Sequence, residues 1–122
     1  MDKRVLLIED EPNIIEAIRF ILARDGWAVA THSDGETALT AIRASVPDVL
    51  VLDVMLPGRS GFDILADLRA DPGLQALPVL MLTAKGQGRA RDAAEQAGAD
   101  RFLTKPFANA EVLATVRELA GL

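Results

Sequence analysis

Pro47-Asp48-Val49-Leu50-Val51-Leu52-Asp53-Val54-Met55-Leu56-Pro57-Gly58-Arg59-Ser60-Gly61 is the stretch on which the fold turns. Val49 to Leu52 is an unbroken apolar run with two β-branched residues. It is too short for a helix and suits a strand buried on both faces. Asp53 ends the run, at the point where such a strand leaves the sheet and where open α/β folds place their ligands. Pro57 and Gly58 force a turn, and Ser60 is placed to cap a following helix. The local pattern is strand, acid, tight loop, helix.

Working outward, Val5-Leu6-Leu7-Ile8 repeats the pattern and is closed by Glu9-Asp10-Glu11-Pro12. Pro12 suits a first helical turn, where its missing N–H costs nothing. Ile14, Ile18, Ile21 and Leu22 then recur at helical spacing, with Glu16, Arg19 and Arg24 on the other side and Gly26 as the stop. Trp27 to Thr31 reads as a second strand. Ser33-Asp34-Gly35-Glu36 has capping-box spacing, and Leu39, Ile42 and Val46 stripe a helix ending before Pro47. Beyond the central strand, Phe62, Leu65 and Leu68, with Ile64 beside them, stripe a helix that stops near Asp71-Pro72-Gly73.

Val79-Leu80-Met81-Leu82 is another apolar strand, followed by Thr83. The segment from Arg89 to Ala97 offers only Ala90, Ala93, Ala94 and Ala97 as an apolar side, with Gly86 and Gly88 before it. A helix there buries little and belongs at the low-stability end of the fold. Arg101-Phe102-Leu103 gives a short last strand, and Val112, Val116 and Leu119 stripe a final helix capped near Asn109. Strand and helix thus alternate five times with short connections. That is the signature of a parallel sheet covered on both faces, in a single α/β domain over residues 1–122.

Composition narrows the function. The chain has 122 residues, half of them hydrophobic, which is ample for one core and excludes disorder. Without cysteine there are no disulfides, thiolate catalysis or cysteine-rich zinc sites. A formal charge of −5 argues against direct nucleic-acid or anionic-membrane binding. No apolar run approaches the ~20 residues of a bilayer span. Met1-Asp2-Lys3-Arg4 leads into only four apolar residues, unlike a signal peptide, so the expectation is a cytoplasmic protein.

Parallel strands end on one edge. Glu9 and Asp10, Asp53, Thr83 and Lys105 are delivered there from four of the five strands. Clustered carboxylates repel one another, and Mg²⁺, a hard cation that prefers oxygen ligands, resolves the conflict while leaving coordination free for a phosphoryl oxygen. Lys105 supplies a movable positive charge and Thr83 a hydroxyl donor for a phosphate. A carboxylate nucleophile can carry phosphate as an aspartyl phosphate, which is the role expected of Asp53.

These residues resemble the receiver domain of bacterial two-component response regulators over essentially the whole chain. Glu9-Asp10 resembles the family's acidic pair, Asp53 its phosphoacceptor, and Pro57 and Gly61 the loop that follows. Thr83-Ala84 resembles its switch threonine with the adjacent small residue. Phe102 stands at its aromatic switch position, and Lys105-Pro106-Phe107 matches its Lys-Pro tail, with a cis bond before Pro106. The resemblance implies a flavodoxin-like sheet of strand order 2-1-3-4-5. It also implies a Mg²⁺ site made by Glu9, Asp10, Asp53 and the Met55 backbone carbonyl, and a histidine kinase or histidine phosphotransfer protein as donor. Phosphorylation would draw Thr83 and Lys105 inward and turn Phe102. That would reshape the face formed by the alanine-striped helix, the last strand and the final helix, which meets a downstream partner.

Such a domain catalyses its own phosphorylation but acts as a signalling protein. Met55 and Lys85 offer no carboxylate or amide to orient water, which predicts slow self-dephosphorylation. Arg91 and Glu111 match one ion pair of a known dimer face, whereas Arg101, Thr115 and Glu118 depart from it, so a monomer or weak dimer is expected. Met1 and the short tail after the final helix favour a single-domain regulator.

Rival readings are weaker. A dehalogenase-type phosphatase wants a second acid where Met55 stands, and a dinucleotide binder wants glycines where Glu9-Asp10-Glu11-Pro12 stands. Asp10 alone could be a helix cap, Lys105 a solvated loop lysine, Thr83 a cap and Phe102 simple packing. His32, the sole histidine, reads as a surface loop residue. A degenerate receiver, acting as a phosphorylation-independent interaction module, is the alternative from another class.

Overall fold

A computed structural model of the chain describes residues 3–84, 92, 93 and 96–122. The strands β1 (Arg4–Ile8), β2 (Ala28–His32), β3 (Val49–Asp53), β4 (Val79–Thr83) and β5 (Arg101–Thr104) form one parallel sheet, ordered β2-β1-β3-β4-β5. Among the described residues the helices are α1 (Pro12–Arg24), α2 (Ala38–Ala44), α3 (Gly61–Ala70) and α4 (Asn109–Leu119). The flavodoxin-like order that the resemblance implies is the one observed. Most of the Arg89 to Ala97 segment, with Lys85 and Arg91, lies outside the described residues.

The two-residue period of a strand explains why β1, β3 and β4 are apolar throughout. Leu6, Ile8, Leu50, Leu52, Val79 and Met81 point to the side covered by α2 and α3, where Ile42, Ile64, Leu65 and Leu68 complete a core. Val5, Leu7, Val49, Val51, Leu80 and Leu82 point to the other, against Ile18 and Leu22 of α1 and Val112 and Val116 of α4. The β3 residues from Val49 to Asp53 are all buried, so the stretch that decided the fold is also its centre.

Local chemistry sets the ends. Pro12 opens α1, and Ser60 Oγ caps α3 by accepting the Asp63 N–H at 3.3 Å. Gly26 (φ +92°) makes the left-handed turn into β2. At α4 the cap is Ala108, whose N–H donates to Glu111 Oε1 at 2.9 Å, one residue before the expected Asn109. The capping box expected at Ser33 does not form. Asp34 instead accepts the Glu36 N–H at 3.2 Å in a turn, α2 starts later, and Val46 is exposed rather than in the stripe. Trp27 is buried immediately before β2, and His32 is the last residue of that strand rather than a loop residue.

Candidate functional site

β1 and β3 run side by side, with Ile8 paired to Leu52, so the residues that follow each pair emerge together. Glu9, Asp10 and Asp53 each bring a carboxylate oxygen within 4.8 Å of the others. Glu9 and Asp53 are buried and Asp10 is exposed. Glu9 Oε2 is fixed by the backbone N–H groups of Asp10 (3.0 Å) and Glu11 (3.1 Å). Asp53 Oδ2 is buried and, among the described residues, has no hydrogen-bond partner.

Lys105 follows β5, and its backbone N–H donates to the Thr83 carbonyl at 2.7 Å. Its ammonium reaches across to Glu9 Oε1 at 2.9 Å, Glu11 Oε1 at 3.2 Å and Asp53 Oδ1 at 3.3 Å. The peptide bond between Lys105 and Pro106 is cis, as expected. Four of the residues singled out in the sequence, Glu9, Asp10, Asp53 and Lys105, are therefore gathered in one place.

Thr83 lies at the same edge, one residue beyond the pairing of Asp53 with Leu82. Its buried hydroxyl faces β5, lying 3.4 Å from the Leu103 carbonyl, to which it can donate, and 3.4 Å from the Thr104 hydroxyl. Both contacts are long, so a better acceptor could take the hydroxyl at little cost. Phe102 is half-buried in β5 opposite Met81 and packs on the α2–α3 core. Met55 follows the Asp53 strand end with its side chain largely exposed.

Electrostatics mark Asp53 out. Its burial first, then the charge and contact of Glu9, push its carboxyl up to about 7, and Lys105 offsets only part of this. Burial of Lys105 works against its charge, but contact with Glu9 and the negative fields of Asp53 and Glu9 prevail and hold the ammonium above the ordinary lysine range. Among the described residues, Lys105 is the cation that meets Glu9, Glu11 and Asp53, with Asp10 beside them, so negative charge is in excess. The all-oxygen donor set and the orphaned Asp53 Oδ2 fit a hard divalent cation such as Mg²⁺.

Glu11 was not singled out by sequence reasoning. Its only signal is that it is the third acid in the run Glu9-Asp10-Glu11 before Pro12, where it reads as a helix-start residue.

The arrangement is a parallel α/β domain with carboxylates and a lysine gathered at one sheet edge, and comparison with known proteins gives its family. The chain belongs to the response regulator receiver domain family, whose model matches residues 5–117. It is 47% identical over 116 residues to the transcriptional regulatory protein TcrX of Mycobacterium tuberculosis, covering 94% of this chain and 48% of that protein. The chain thus spans about half the length of the curated relatives it matches. Among solved structures, a response regulator from Chloroflexus aurantiacus superposes with a TM-score of 0.94 at 34% identity, over the full length of both chains. The receiver domain of the sensor histidine kinase PA1611 from Pseudomonas aeruginosa superposes at 0.89, with 28% identity over both full chains; its structure has a magnesium ion coordinated in the active-site cleft. Among the described residues no helix is long and apolar enough to cross a membrane.

Proposed function

We propose that the chain is a phosphorylation-dependent switch in which Asp53 accepts a phosphoryl group from a phosphohistidine on a histidine kinase or phosphotransfer protein. The observation that carries this reading is Asp53 Oδ2, a buried carboxylate oxygen beside Glu9, Asp10 and Lys105 that has no hydrogen-bond partner among the described residues. Such an oxygen is a nucleophile whose lone pairs are not committed to the fold. In the transfer a bond forms between an Asp53 oxygen and phosphorus. The bond from phosphorus to the donor imidazole nitrogen breaks, and that nitrogen keeps the electron pair.

Glu9, Asp10 and Asp53, with the Met55 backbone carbonyl, would hold Mg²⁺. When bound, the cation supplies charge neutralisation for the transferring oxygens. Lys105 stabilises the same charge from the β5 side. Its ammonium is 3.3 Å from Asp53 and needs only a short movement to meet a phosphoryl oxygen. The Thr83 hydroxyl, with two long contacts, turns from β5 to that oxygen. Because Lys105 N–H is bonded to the Thr83 carbonyl, the two loops move together. The consequence is a shifted population at β5, with Phe102 turning and the surface around β5 and α4 presented to a protein target. For this region we propose protein partners rather than nucleic acid or membrane, in keeping with its charge of −5.

The test is incubation with acetyl phosphate and Mg²⁺, read by intact mass. The wild-type chain should gain one phosphoryl group and the Asp53→Asn chain none; equal labelling of the two would sink the assignment.

A further inference from the structure

Lys105 is flanked by three acids that are not equivalent. Glu9 and Asp53 are buried in the site, whereas Glu11 stands at its mouth with an exposed side chain. The ammonium donates to Glu11 Oε1 at 3.2 Å, while Glu9 Oε1 lies nearer, at 2.9 Å. The backbone of Glu11 is held on both sides. Its N–H donates to Glu9 Oε2 at 3.1 Å, and its carbonyl accepts from Ile14 (3.1 Å) and Ile15 (3.0 Å) in the first turn of α1. Pro12 stiffens the next position. Glu11 is therefore a fixed post from which a carboxylate arm reaches the Lys105 ammonium.

From this we infer that Glu11 is a positioning residue for Lys105, a counter-ion that holds the ammonium in its resting place and must release it when a phosphoryl group arrives on Asp53. An ammonium has three donors, and here three carboxylates surround it. Neutralising Glu9 and Asp53 with a divalent cation would weaken their pull on Lys105. Glu11, which is not among the clustered cation ligands, would keep its own hold. A phosphoryl oxygen then competes with Glu11 for the same N–H groups, so the resting contact stabilises the unphosphorylated form and slows capture. The contact spans the site from α1 to β5, so it ties the start of one helix to the loop whose position the switch changes.

The inference rests on Asp53 as phosphoacceptor, and its test separates the two. With acetyl phosphate and Mg²⁺, Glu11→Gln, which keeps the shape and loses the charge, should be labelled about two- to fivefold faster than wild type, the range expected for releasing a partly exposed ion pair. In a Lys105→Ala background the same change should have no effect. A gain that persists there would mean that Glu11 merely repels the donor, and would overturn the positioning role, as would an unchanged rate in the Lys105-containing chain. The second readout needs no phosphorylation. In metal-free protein the Lys105 side-chain methylene resonances next to the ammonium should shift on Glu11→Gln, and unmoved resonances overturn the inference. A wild-type chain that takes no phosphoryl group would instead sink the reading of Asp53, leaving the resonance shift to decide on Glu11.

Discussion

At the end of the sheet where β1 and β3 finish, Glu9 and Asp53 are buried, crowd each other, and share one lysine with Glu11. At the opposite end every highlighted carboxylate is matched to a donor. Asp25 Oδ2 takes Arg117 Nη1 at 2.8 Å and Trp27 Nε1 at 3.2 Å, with Lys3 Nζ 3.5 Å away. Asp48 caps the Arg4 N–H at 2.8 Å, and Asp71 accepts Gly73 N–H at 2.9 Å and pairs with Arg43 at 3.1 Å. Asp100 takes the Val79 N–H at 2.8 Å and Arg69 Nη2 at 3.1 Å. The carboxyls respond in opposite directions: Asp53 is raised, while Asp25, through its Arg117 hydrogen bond first, and Asp71, through Gly73 first, are lowered. One end spends its charges on holding the chain together. The other leaves a buried oxygen, Asp53 Oδ2, without a partner among the described residues, which a bound cation can supply.

The sharpest way to break this contrast is to disturb the strained end without touching a charge. Gly61 opens α3 directly behind Asp53, and a Cβ there would sit 2.2 Å from the Asp53 carbonyl oxygen. That contact is with backbone, so something must shift. Gly61 N–H also donates to Val54 O at 2.8 Å, holding the loop against the strand end. Gly61→Ala should therefore displace Asp53, cost about 3–4 kcal/mol in urea unfolding, and abolish most acetyl phosphate labelling. Wild-type labelling in a folded Gly61→Ala chain would show that the site tolerates misplacement and that the strain is incidental.

Next in size is a cut at the satisfied end. Arg69 donates to Gly98 O (3.0 Å), Gln75 O (2.9 Å) and Leu77 O (2.8 Å) as well as to Asp100. One planar side chain thus joins the end of α3 to the approaches of β4 and β5. Arg69→Ala leaves carbonyls without donors and should cost about 2–3 kcal/mol, with labelling of Asp53 at the wild-type rate below the unfolding transition. A slowed reaction would show that the two ends are mechanically coupled.

How much of this contrast could be read beforehand differs by end. The site end was legible because its residues follow directly from strand runs: Ile8 to Glu9, Leu52 to Asp53, Leu82 to Thr83. A parallel sheet then forces those residues to one edge, whatever the loops do. Glu11 escaped because its importance lies in a side chain crossing to β5, 94 residues away, which no local pattern encodes. The satisfied end was almost wholly invisible for the same reason. Asp25 with Arg117 and Arg69 with Asp100 join residues distant in sequence, and each alone reads as a solvated charge. The false capping box at Ser33 has a different origin. Gly35 approaches the β3–α3 loop so closely that a Cβ would lie 2.2 Å from Arg59 O, and its N–H donates to Pro57 O at 2.9 Å. That packing claims the backbone for a turn before the helix can begin.

The smallest effect, and the most direct measure of the contrast, is the pH dependence of stability in metal-free protein. Asp53 has a folded-state value of about 7 against 3.8 for the free side chain. Between those values the folded chain holds a proton that the unfolded chain has lost. The stability contributed by this group is therefore full below 3.8 and is lost as pH rises towards 7. Asp25 and Asp71 have lowered values, so their contribution is present above 3.8 and is lost as pH falls through their folded-state values. Urea midpoints measured from pH 3 to 8 should thus fall on both sides, for reasons at opposite ends of the sheet. Asp53→Asn should flatten only the side that falls with rising pH, and Asp25→Asn should soften only the acid side. Added Mg²⁺ should flatten the first and leave the second alone. If Asp53→Asn instead left the higher-pH decline intact, the crowded carboxylates would not be its source, and the division of labour between the two ends would have to be redrawn.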